Sequence, residues 1–208
     1  NDLKAITIGA STFDSDVKFA AAVSSQLITV VGGDATTEDS TVEFVAAVVA
    51  PSMVMTAATS GAISKVSFTA SAATTAFTGA ITAGSTSGAD TEIHVIDSAA
   101  GAPALQKITG LVGTSTNRIG LIAIGEDDGK AGALEFDTDV HATAMTITSN
   151  GGTDEDSYVN FDNAADITTI TLDDDGVGLS LLNLTTATAK TLTGTIDGAA
   201  VNEGTLVV

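Results

Sequence analysis

Along most of the chain, apolar and polar residues alternate in short runs that end in Gly, Asn, Asp or Ser, the period of a strand with the punctuation of a turn. From Lys65 onward the runs include KVSFTAS, TAFTGAIT, TEIHVIDS, RIGLIAIG, ALEFDTDV, AMTITSN, SYVNFDN, ITTITLDD and KTLTGTID, at similar intervals. Thr and Val recur in them, and β-branching suits a pleated strand. In ALEFDTDV, Leu134, Phe136 and Thr138 point one way while Glu135, Asp137 and Asp139 point the other. That alternation predicts one dry face and one anionic wet face. The first third is less regular. ITIG and SSQLITVVGG read as strands, whereas DSDVKFAAAV admits a helical turn or two, because Ala favours helix and Asp14 or Ser15 can cap it. STVEFVAAVVAPSMVM is a buried run interrupted at Pro51, which has no amide to donate. The pattern divides the chain into an N-terminal β-rich region, 1–63, that admits a short helix, and a repetitive β domain, 64–208.

Two all-β architectures satisfy this pattern. In a parallel β-helix, or β-solenoid, short strands stack coil upon coil around a narrow interior. In a β-sandwich or barrel the same runs pair antiparallel. Composition favours the solenoid: Ala, Gly and Thr abound, and seven Phe, one Tyr and no Trp supply all the aromatic mass. Such a core is built from small, closely stacked side chains. No exact short repeat is present.

Charge narrows the partners. Twenty-six acidic against seven basic residues give a formal charge of −19, a field that repels nucleic acid and attracts cations or basic surfaces. There is no cysteine, so neither disulfides nor thiolate metal ligands contribute. No apolar run reaches the length of a membrane span, so membrane insertion is not expected. The opening NDLKAITIGA is compatible with a processed form or a fragment.

TAFTGAITAGSTSGAD and the closing KTLTGTIDGAAVNEGTLVV give residues 65–208 a Thr/Ala/Gly-rich strand-and-turn texture. In that texture the chain resembles bacterial surface-layer proteins and autotransporter-type adhesin passengers. The resemblance implies β-solenoids or strings of β domains that form arrays, filaments or adhesive stalks at the cell surface. It carries over no catalytic residue.

Acidic residues crowd between Glu126 and Asp175, offset by Lys130, in the segments GEDDGK, GTDEDS and LDDDG at the ends of predicted strands. If successive coils bring these turns to one edge, Asp127, Asp128, Asp154, Asp156, Asp173 and Asp175 become candidate ligands. Calcium is the candidate cation, because it accepts six to eight hard oxygens in flexible geometry. The competing reading is solvated turn residues that keep the surface soluble and discourage edge aggregation. No segment fits a helix-loop-helix calcium site: after Asp173 and Asp175 the next ligand position is Val177. Neither His94 nor His141 has a companion that spells zinc, and the nucleophile-elbow and phosphate-loop motifs are absent. A hydrolytic carboxylate pair is compatible with Asp137, Asp139, Asp154 and Asp162, but carboxylates are too abundant to single one out.

The sequence therefore leads to a non-catalytic extracellular structural protein that self-assembles through strand edges into a surface array, filament or stalk, with calcium as candidate stabiliser. An adhesive module that binds a surface glycan or protein is the first alternative. A carboxylate-dependent glycan-acting enzyme is the second.

Overall fold

The computed structural model describes residues 3–10, 14–33, 39–57, 61–69, 72, 74–84, 90–97, 101–126, 130–150, 156–175, 178–184, 191–198 and 204–207. Among the described residues eighteen strands follow in chain order. They are β1 (Ile6–Ile8), β2 (Ser15–Phe19), β3 (Val23–Ser24), β4 (Ile28–Gly32), β5 (Ser40–Phe44), β6 (Val48–Ala57), β7 (Ser64–Phe68), β8 (Thr74–Ala83) and β9 (Thr91–Val95). Then come β10 (Leu105–Ile108), β11 (Ile119–Ile124), β12 (Ala133–Phe136), β13 (Val140–Asn150), β14 (Ser157–Phe161), β15 (Ala165–Asp175), β16 (Ser180–Asn183), β17 (Leu192–Gly198) and β18 (Thr205–Val207). Every named strand pair is parallel, and partners come from one coil to the next: Ser15 on Ser40, Ser40 on Ser64, Ser64 on Thr91. The protein is a parallel β-solenoid of about 25 residues per coil, and the sandwich and barrel are excluded.

The strands form a ten-stranded and an eight-stranded sheet. Strands that run through a corner divide each coil into three sides. Side one stacks β2, β5, β7, β9 and β11, then the later parts of β13, β15 and β17. Side two stacks β3, the starts of β6 and β8, then β10, β12, β14, β16 and β18. Side three stacks β1, β4, the ends of β6 and β8, Val112, and the starts of β13, β15 and β17.

Each side sends alternate residues inward, so the core consists of columns. Val17, Val42, Val66, Ile93, Ile122, Met145, Ile170 and Ile196 form one on side one. Ile6, Ile28, Met53, Ile81, Val112, Val140, Ala165 and Leu192 form another on side three. Aromatics change columns partway. Phe19, Phe44 and Phe68 stack on side one with centroids 5.2 and 5.9 Å apart, Phe68 meets Phe77 across the corner at 6.3 Å, and Phe136 stacks on Phe161 at 5.5 Å on side two. Where side two carries Phe136 or Phe161, the side-one column carries Ile124 or Ile147. Among the described residues six Phe place at least one ring at the corner in five of the eight coils, and aliphatic side chains fill the rest.

DSDVKFAAAV forms β2 and the start of β3, not a helix. Val17 and Phe19 extend the columns begun by later coils, and that packing outweighs the helix propensity of the alanines. Pro51 lies inside β6, where the register shifts between Val49 and Ser52. The missing amide falls at a corner, not within a ladder. Strand β5 pairs with β7 across the expected boundary at residue 64. Among the described residues no helix is long and apolar enough to cross a membrane, which says nothing about strand-built barrels.

Candidate functional site

Strand alternation turns the polar residues outward, and parallel stacking sets each beside its counterpart one coil away. On side two, Lys107 lies next to Glu135, and Glu135 next to Asn160, which accepts from Asn183 Nδ2 at 2.9 Å. As the sequence predicts, Leu134 and Phe136 are buried while Glu135 and Asp137 face the wet side. At the following corner Glu135, Asp137 and Asp162 each offer a carboxylate oxygen, and the three lie within 4.8 Å of one another. All three residues are half-buried.

Lys107 already serves this cluster. Its Nζ is 2.7 Å from Glu135 Oε1 and 2.6 Å from Asp137 Oδ1. The contact to Asp137 is a close ion pair without well-aligned hydrogen-bond geometry, since Asp137 Oδ1 has no hydrogen-bond partner by angle. Asp137 first and Glu135 second push the Lys107 pKa well above the usual lysine value, so the ammonium stays charged. A divalent ion drawn to these three carboxylates has to compete with that ammonium. Sequence reasoning placed Glu135 and Asp137 on one face but missed the convergence, because Lys107 and Asp162 reach them only through coil stacking.

Of the acidic segments singled out in the sequence, Asp173 and Asp174 lie at the end of β15, Glu126 follows β11 and Asp156 precedes β14. Asp127, Asp128 and Asp154 lie outside the described residues, as does the side chain of Asp175. Asp156 Oδ1 accepts the Leu179 N–H at 2.8 Å. Asp173 is half-buried, and its carbonyl accepts from Ser180 Oγ at 2.7 Å. Asp174, between the two chosen ligands, accepts from Ser180 N at 2.5 Å, Gly204 N at 2.9 Å and Ser149 Oγ at 3.3 Å.

Those bonds belong to a wider pattern. Asp39 Oδ1 accepts the Ile63 N–H at 2.8 Å, Asp139 Oδ1 that of Ala164 at 3.3 Å, and Asp90 Oδ1 that of Gly61 at 3.2 Å. Asp97 Oδ2 accepts the Ala104 N–H at 2.6 Å. Backbone amides at corners have no ladder partner, and short carboxylates supply one, commonly from the neighbouring coil. Buried hydroxyls do the same inside: Ser157 Oγ accepts from Gly132 N at 3.0 Å and donates to the Thr148 carbonyl at 2.5 Å.

Each histidine lies beside a carboxylate. His94 Nε2 is 2.9 Å from Glu92 Oε2, and the Glu92 pKa is lowered, first by His94. His141 Nδ1 lies 3.4 Å from Asp166 Oδ2, which Arg118 Nη2 engages at 2.5 Å. Arg118 Nη1 also donates to the carbonyls of Ala142 and Asp166, so one guanidinium spans three coils. That guanidinium is the main reason the Asp166 carboxyl sits below the ordinary aspartate range. Compared with protein-family models, curated proteins and solved structures, the chain matches none.

Proposed function

We propose that this chain is a non-catalytic structural module of an extracellular surface array, filament or stalk, and that it associates through its strand edges. The observation that carries the reading is continuity: the column from Val17 to Ile196 runs through the eight described rungs of side one with an apolar residue at every level. A rod of constant section built from backbone ladders carries load and sets distance. The carboxylates support the same reading, since many of them cap corner amides or neutralise a neighbouring cation.

Calcium is the cation we assign to the acidic flank. Glu135, Asp137 and Asp162 offer hard oxygens, and an exchange with Lys107 suits a weak ion that relieves repulsion between chains of charge −19. Analytical ultracentrifugation across protein concentration, with and without millimolar calcium, tests the proposal. Assemblies that grow with concentration and are promoted by calcium are expected; a monodisperse monomer in every condition contradicts it.

An adhesive role has one observation in its favour. A shallow groove of about 340 Å³ on side one is lined by Glu43, Lys65, Ser67, Thr69 and Lys130, polar groups of both signs suited to a glycan or a peptide backbone. Binding of immobilised glycans by the monomer would favour this reading over assembly.

A further inference from the structure

Two polar groups in the groove on side one stand without a partner among the described residues. Outward residues of β5, β7 and β9 form two columns there, Thr41, Lys65 and Glu92 in one and Glu43, Ser67 and His94 in the other. The carboxylates nearest Lys65 in this stacking, Glu92 directly across and Glu43 on the diagonal, serve other groups. Glu43 Oε1 accepts from Lys18 Nζ at 2.8 Å and from Thr69 Oγ1 at 2.7 Å, and Glu92 Oε2 lies 2.9 Å from His94 Nε2. Lys65 is half-buried and, among the described residues, has no carboxylate within ion-pair distance. Beside it Ser67 is 7% exposed, turned outward between the buried Val66 and Phe68, and its Oγ makes no hydrogen bond among the described residues.

We infer that this groove binds a uronic-acid saccharide, its carboxylate held by Lys65 and Ser67 and its ring hydroxyls by Thr69, Glu43 and Lys130. The inference rests on the adhesive reading of the groove and names the ligand; it applies to the single chain and to an assembly alike. A half-buried ammonium without a counter-ion, next to a buried hydroxyl, offers two donors to one oxyanion. The groove measures about 340 Å³, the size of a small-molecule site. Ser67 lies in its floor, and Lys65 and Lys130 stand in its lining.

Charge selects the kind of anion. Glu43 and Glu126 share the groove with the lysines, and the whole chain carries −19, so a phosphate of two charges meets more repulsion than a carboxylate of one. The lining selects the body that carries the carboxylate. Ile96 is its one apolar side chain among the described residues; the others are hydroxyls, carboxylates and ammonium groups. Sugar hydroxyls donate to carboxylates and accept from ammonium and hydroxyl groups all round the ring, whereas peptide side chains draw much of their affinity from apolar pockets that this groove lacks.

NMR titration of the isotopically labelled chain tests the site, with a galacturonic acid trisaccharide, its methyl ester and a glutamate tripeptide as probes. EDTA in every sample keeps calcium from bridging a probe to the acidic flank. The uronate is expected to bind and to shift the amides of Lys65, Ser67 and Thr69. The ester, which lacks the carboxylate, and the peptide, which lacks the ring hydroxyls, are each expected to bind at least about tenfold more weakly. Lys65→Met is expected to lower uronate affinity about tenfold and Ser67→Ala about threefold, with the spectrum outside the groove unchanged. Lys4→Met removes the same charge from an exposed position outside the groove and is expected to leave the affinity as it was. Ester or peptide bound as well as the uronate, or an affinity that neither Lys65→Met nor Ser67→Ala moves, would overturn this site and leave the adhesive reading standing. No binding of any of the three probes would defeat both.

Discussion

Asp174 shows how a residue that reads as a metal ligand serves the backbone. It sits between Asp173 and Asp175 in LDDDG, yet its carboxylate takes two corner amides and one hydroxyl. Asp174→Ala orphans those donors and is expected to cost about 1–3 kcal/mol. Asp174→Asn keeps one acceptor oxygen and is expected to cost less. Urea denaturation of the two variants checks the order, and equal losses would contradict it. Asp166 gives a pH signature. Its folded pKa is depressed, chiefly by Arg118, so the pair contributes stability above the unfolded aspartate value, about 3.9, and loses it as pH falls through the folded value. Arg118→Met is therefore expected to cost about 1–2 kcal/mol at pH 7, a loss that shrinks on acidification. What remains at low pH is the part due to the two carbonyl bonds, which do not titrate. A loss independent of pH would remove the ion pair from the account.

At the scale of elements, the corners decide where a strand bends. Gly79 lies within β8 with φ at 129°, and a Cβ there would run into the Ala50 carbonyl one coil below. The next coil repeats the close approach, with Gly110 set against the Gly79 carbonyl. Gly79→Ala is expected to destabilise by about 1–3 kcal/mol through backbone strain. Gly101, which also has positive φ but open space around it, should tolerate alanine better, and thermal melts of both variants measure the difference. The alternation in ALEFDTDV was legible because one strand decides which of its own residues face inward. The strand at Ser15–Phe19 was not, since its apolar residues are held by Phe44 and Val42 of the next coil, and local propensity carries no sign of them. The candidate site divides in the same way. Glu135 and Asp137 share a strand pattern, whereas Lys107 and Asp162 join them through a coil spacing that drifts from turn to turn. That drift also hides the repeat from inspection of the sequence.

On the scale of the whole molecule, thin coils and a charge of −19 pull in opposite directions. Each coil buries too little by itself and depends on the coils above and below, so stability accumulates along the axis. Like charge on successive molecules opposes any joint between them, and salt or calcium weakens that opposition. If the solenoid continues from copy to copy through its strand edges, the parallel ladder keeps its step of about 4.8 Å across every contact. Cryo-electron microscopy of assemblies grown in calcium tests this continuity most directly. The account predicts filaments with unbroken density for the β-rungs, spaced about 4.8 Å, from copy to copy. Particles joined side by side, or a rise unrelated to the rung spacing, would contradict it.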